Sequence, residues 1–110
     1  MKYSASTLNL KDDPEVIRKY IEHHREMSQE QIDDMKSMGM KRLKIFLHGR
    51  RMFMFVETVD DYPQRTPSSN ELLRGKEWQN LMHRFQEQLP GTDKDVWWVP
   101  MEEIFDLETA

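Results

Sequence analysis

Tyr20 and His24 are four residues apart in a stretch that reads as helix, so the two side chains leave the same helix face. An imidazole titrates near neutrality and can give or take a proton, and a phenol can orient a substrate hydroxyl. The same spacing also suits an ordinary hydrogen-bonded histidine at the edge of a core, with Tyr20 packed inside and its hydroxyl at the surface. His23 is turned about 100° away and reads as a surface residue. The pair His23-His24 is not a metal motif: a helical zinc pair needs a spacing of three or four, and Glu22 and Glu26 are poorly disposed around it. His48 falls at a hairpin end and His83 on a second helix, and each reads as solvent-facing or structural.

Trp78 offers a flat apolar surface of the kind that covers the C–H face of a sugar, although from the pattern alone core packing is the stronger explanation. Trp97-Trp98 would expose opposite faces in a strand, and the nine methionines read as core filler. There is no glycine-rich phosphate loop, nucleophile elbow or metalloprotease motif. Spacing therefore stops at a His-Tyr candidate site that needs neither cofactor nor metal.

The elements that must hold this site can be read along the chain. Residues 2 to 10 are a plausible strand, although neither parity is cleanly apolar. Asp13-Pro14 is a helix N-cap followed by proline at the first helical position. The helix it opens carries Ile17, Tyr20, Ile21, His24 and Met27 on one side. Ser28-Gln29-Glu30-Gln31 is an internal capping box, so the helix kinks or restarts before Ile32, Met35 and Met38, and Gly39 ends it.

Residues 41 to 57 form a β-hairpin with Gly49-Arg50 as a two-residue turn. This register pairs His48 with Arg51, Phe46 with Phe53 and Lys44 with Phe55. Leu43, Ile45 and Leu47 then face the same way as Met52, Met54 and Val56. Both faces carry apolar residues, and in a short chain two helices cover only one of them, so the other is expected on a second subunit. After a loop over 60–70, a helix from Glu71 to about Leu89 turns Leu72, Trp78, Leu81, Met82, Phe85 and Leu89 inward until Pro90-Gly91 stops it. The segment from Val96 to Leu107 is rich in β-formers and divided by Pro100. The order strand, helix, strand, strand, helix, strand describes an α+β ferredoxin-like sandwich, and dimerisation would make it a dimeric α+β barrel.

The 110 residues are enough for one domain, residues 1–110, with one modest core. Sixteen basic against 20 acidic residues give a formal charge of −4 and no broad positive surface, which argues against nucleic acid. No long apolar run or signal region is present, so no membrane association is expected, and the absence of cysteine fits a reducing, cytoplasmic setting.

Several segments together resemble the L-rhamnose mutarotase family over nearly the whole chain. They are Tyr20-Ile21-Glu22-His23-His24, Gly39, the hairpin Leu43 to Glu57, Trp78 to Met82, and Met101-Glu102-Glu103-Ile104-Phe105-Asp106-Leu107. Met82-His83-Arg84-Phe85-Gln86, Leu89-Pro90-Gly91 and Trp98-Val99-Pro100-Met101-Glu102 resemble a branch associated with L-fucose metabolism. The resemblance implies a ferredoxin-like homodimer, an isomerase that interconverts the α and β pyranose anomers of a free 6-deoxy-hexose, and a monosaccharide as its partner.

Counted back from Gly39, the family's catalytic histidine falls on His24 and its substrate-contacting tyrosine on Tyr20; its helix-two tryptophan falls on Trp78. Leu43 stands where rhamnose-type members have tyrosine, Ser28 and Gln29 where they have tryptophan and proline, and Gln79 where they have a second tryptophan. Gln79 is thus a further candidate for a sugar hydroxyl. Two other readings stand beside this one: a small ferredoxin-like oxygenase acting on an aromatic substrate, by analogy of fold, and a non-catalytic sugar-binding homologue.

Overall fold

The computed structural model describes residues 1–110. Its elements in chain order are β1 (Lys2–Leu10), α1 (Pro14–Arg25), α2 (Gln29–Ser37), β2 (Met40–His48), β3 (Arg51–Thr58), α3 (Ser69–His83), β4 (Gln86–Glu87) and β5 (Val99–Pro100). The sheet is antiparallel throughout, in the order β2-β3-β1-β4, with β5 also pairing β1. This is the α+β, ferredoxin-like arrangement, with its last strand reduced to the two short pieces β4 and β5.

Local chemistry sets the helix boundaries. The Asp13 carboxylate accepts the Glu15 amide at 2.9 Å and Pro14 opens α1. Ser28 Oγ accepts the Gln31 amide at 3.2 Å, so the expected kink is a full restart with α2 as a separate helix. Ser68 does the same for α3 by accepting the Glu71 amide at 3.2 Å. This second capping box, Ser68-Ser69-Asn70-Glu71, falls in residues expected to be loop.

The hairpin has the expected register: His48 opposes Arg51, Phe46 opposes Phe53 and Ile45 opposes Met54. Gly49, at φ +60°, takes the first turn position. β1 continues the alternation, with Leu8 opposite Met52 and Ser6 opposite Met54. One sheet face therefore carries Leu8, Leu10, Met52, Met54 and Ile45 toward the helices. The core is the cluster Leu8, Leu10, Tyr20, Met52 and Met82, flanked by Ile17, Trp78, Phe85 and the Trp97-Trp98 pair. The opposite face carries Tyr3, Phe55, Phe53 and Phe46, where Tyr3 stacks on Phe55 and Phe46 lies beside Phe53.

Two expectations are corrected. The second long helix ends at His83 rather than near Leu89, because the chain turns to pair Gln86 with Leu10 and Glu87 with Asn9. Phe85 keeps its place against the core from outside the helix, so the spacing Leu81, Phe85, Leu89 had imitated a helical period. Leu72, expected inside, is 61% exposed. The inward side of that end of α3 is taken instead by Arg74, which clasps Asp34 of α2 with bonds of 2.9 and 3.0 Å, and by Glu71, which meets Arg65 at 2.9 Å. Beyond β5 the Met101 amide still donates to the Ala5 carbonyl of β1 at 2.8 Å, and further on Ile104, Phe105 and Leu107 are exposed.

Gly39 joins α2 to β2 at φ +107°, and a Cβ there would sit 2.6 Å from Val59 Cγ2. The Gly39 carbonyl also accepts the Val59 amide at 2.9 Å, which fixes the approach of the two backbones. Gly39→Ala must therefore strain φ and displace Val59, and it is expected to destabilise the protein by about 1–3 kcal/mol, read as a lower midpoint in urea unfolding. A midpoint at or above the parent's would contradict this.

Candidate active site

α1 crosses the helix-covered sheet face with Tyr20 inward and His24 one turn further on, where the core opens into a cavity. Tyr20 is 4% exposed and belongs to the core, with its hydroxyl accepting a 3.2 Å bond from Gln86 Nε2 rather than reaching the surface. Burial pushes the Tyr20 phenol pKa up, and the Gln86 bond partly offsets this.

His24 is half-buried, and its Nδ1 lies 2.9 Å from the backbone carbonyl of Tyr20. A carbonyl only accepts, so Nδ1 carries the hydrogen and Nε2 of the neutral ring is left as the free acceptor. Burial pushes the His24 pKa down from 6.5; the Tyr20 carbonyl opposes this and the neighbouring His23 adds to it. The neutral, proton-accepting ring is thus the dominant form at neutral pH. The ring is held between Tyr20, centroids 4.5 Å apart, and the edge of Trp78, centroids 5.1 Å apart at 79°.

The cavity has a volume of about 410 Å³ and two kinds of wall. Leu43, Ile45 and Met54 form an apolar floor from the hairpin, while α1 and α3 contribute polar groups. All four residues singled out in the sequence, Tyr20, His24, Trp78 and Gln79, line this one space. A second cavity of about 410 Å³, lined mainly by apolar residues, adjoins it past Tyr20, His24 and Leu43. A concave, mostly apolar space with a few convergent polar groups is the usual form of a small-molecule site.

Four polar lining residues lie outside the expected set: Gln31, His83, Gln86 and Asp95. His83, solvent-facing or structural by its sequence position, is half-buried in the cavity wall and lies flat on Trp97, with centroids 3.8 Å apart and planes 9° apart. No sequence spacing groups it with Trp78, because five residues of helix put the two on different faces. His23 packs on Phe85 outside the cavity, and His48 is exposed at the hairpin end. No three His, Cys, Asp or Glu side chains gather as a metal site.

The sequence profile described as L-rhamnose mutarotase matches residues 4–107. The chain belongs to the L-rhamnose mutarotase family. It is thereby an isomerase of the anomer-interconverting class. Over 119 aligned residues it is 34% identical to a UPF0734 protein of Dictyostelium discoideum, covering 97% of this chain and 90% of that one. It is 32% identical to the L-fucose mutarotase of Xanthomonas campestris pv. campestris, covering 100% of this chain and 91% of that one. The fold matches the crystal structure of an L-rhamnose mutarotase from Formosa agariphila with a TM-score of 0.69 at 21% identity, over 97% of this chain and 99% of that one.

The Tyr20–Gln86 bond ties α1 to β4 beneath this mutarotase-family cavity. Tyr20→Phe leaves the buried Gln86 amide without its partner, at an expected cost of about 1–2 kcal/mol in chemical unfolding. Parental stability in that variant would show that the bond contributes nothing net.

Proposed function

We propose that this chain interconverts the α and β pyranose anomers of a free 6-deoxy-hexose, L-fucose or L-rhamnose, with His24 as its acid–base catalyst. The observation that carries this reading is the state of His24: one nitrogen bound to backbone, the other free in a cavity, and a pKa below that of an ordinary histidine. Ring opening begins when the O1 hydroxyl proton passes to His24 Nε2. As the carbonyl forms, the C1–O5 bonding pair passes to O5, which takes the proton from Nε2. The open-chain aldehyde turns its other face to O5, the O5 proton returns to Nε2 as the ring recloses, and His24 hands it to O1.

The two-sided cavity suits a deoxysugar. The methyl group and C–H surfaces have Leu43, Ile45 and Trp78 to lie against, while hydroxyls have Tyr20 and Gln79 to bond. Similarity to the Xanthomonas L-fucose mutarotase along the whole chain makes L-fucose the first sugar to test. No step calls for a cofactor.

The proposal includes a homodimer. Tyr3 and Phe46, 63% and 56% exposed, stand beside Phe53 on the sheet face away from the helices, an aromatic surface suited to a second copy. Sedimentation of the protein as a monomer at micromolar concentration would remove this part of the reading.

The catalytic reading is tested by saturation-transfer NMR of anomer exchange across L-fucose, L-rhamnose and related sugars. His24→Ala is expected to slow exchange by about 10²-fold or more for the sugar turned over best, with an unchanged circular dichroism spectrum. In the parent, exchange should decline as the pH falls below 6.5 and the free Nε2 acquires its proton. Undiminished exchange in His24→Ala would end the proposal.

A further inference from the structure

Hemiacetal opening moves two protons: one leaves O1 and another must reach O5. His24 has one nitrogen available for this, because Nδ1 is committed to the Tyr20 carbonyl. A second group on the cavity wall would relieve Nε2 of serving both oxygens in turn.

The polar groups around the cavity differ in fitness for that task. The Tyr20 phenol is buried, engaged with Gln86, and more reluctant to ionise than a free phenol. Asp95 is an exposed side chain that no hydrogen bond holds in place over the cavity. Gln31, Gln79 and Gln86 are amides and do not titrate. His83 remains. Its ring lies flat against Trp97, which fixes the ring plane, and neither nitrogen has a hydrogen-bond partner in the protein.

Its position also fits. His24 packs on the edge of Trp78, and His83 comes five residues after Trp78 on α3. His24 and His83 line the same cavity, from α1 and α3, so a sugar bound there lies against both.

We propose that His83 is the second proton-transfer residue of this site, acting on the ring oxygen while His24 acts on O1. On opening, the O1 proton moves to His24 Nε2, the C1–O5 bonding pair passes to O5, and the His83 imidazolium protonates O5. On closure on the other carbonyl face, neutral His83 takes the O5 proton back and the His24 imidazolium protonates O1, so both rings return to their starting states. Partial burial lowers the His83 pKa, so its imidazolium is the minor form at neutral pH and a stronger acid than a free imidazolium when it forms, and exchange carried through it declines as pH rises. This inference rests on the mutarotase reading of the cavity.

The test compares His83→Asn and His83→Phe with His24→Ala in the full-length protein, using L-fucose and L-rhamnose in the same exchange assay. Asparagine keeps hydrogen bonding but cannot carry the proton; phenylalanine keeps the flat stack on Trp97 and loses both nitrogens. Both variants are expected to lower kcat by about 10²-fold with KM changed only a few-fold, while thermal melts stay within a few degrees of the parent. Added imidazole should then raise exchange in His83→Ala above its effect on free sugar alone. Parental kcat in His83→Asn, or in His83→Phe, would overturn the inference even if His24→Ala is slow. Parental exchange in His24→Ala would instead remove the reading on which it rests.

Discussion

The bond from His24 Nδ1 to the Tyr20 carbonyl is short, local and made within one turn of α1, yet the use of the whole cavity depends on it. It assigns the hydrogen to one ring nitrogen and leaves the other as an acceptor. Two opposing effects act on the ring: the last turn of a helix favours a cation, and so does the carbonyl, whereas burial against Tyr20 and Trp78 favours the neutral form. Burial prevails, which keeps the base available at neutral pH.

That burial is a product of the fold. Tyr20 is anchored from below by Gln86, which reaches it because the chain leaves α3 early and pairs with the end of β1. Trp78 is brought over His24 by α3, whose far end is fastened to α2 through Arg74 and Asp34. The hairpin supplies the apolar floor. A strand register set by the turn at Gly49 therefore decides which side chains, Leu43, Ile45 and Met54, face the site rather than the aromatic outer surface.

Much of this was legible in the residues. The hairpin register followed from Gly49 and the alternation of Leu43, Ile45 and Leu47, and the break between α1 and α2 followed from the cap at Ser28. Position on a helix grouped Tyr20 with His24, and family resemblance added Trp78 and Gln79. What escaped was set by tertiary pairing. Leu81, Phe85 and Leu89 keep a helical period, but the demand of β1 for an edge partner ends α3 at His83. Leu72 looked like core because nothing local shows that Arg74 and Glu71 take the inward side. His83 joined the site through its contact with Trp97, fourteen positions along the chain, which no periodicity encodes.

The claim at the centre of this account is that His24 is a neutral ring at physiological pH with its hydrogen on Nδ1. Nitrogen-15 NMR of the histidine ring, followed from acid to alkaline pH, reads both properties in one titration. The account predicts the Nδ1–H tautomer for His24 and a midpoint below 6.5. A hydrogen found on Nε2, or a midpoint above 6.5, would contradict it.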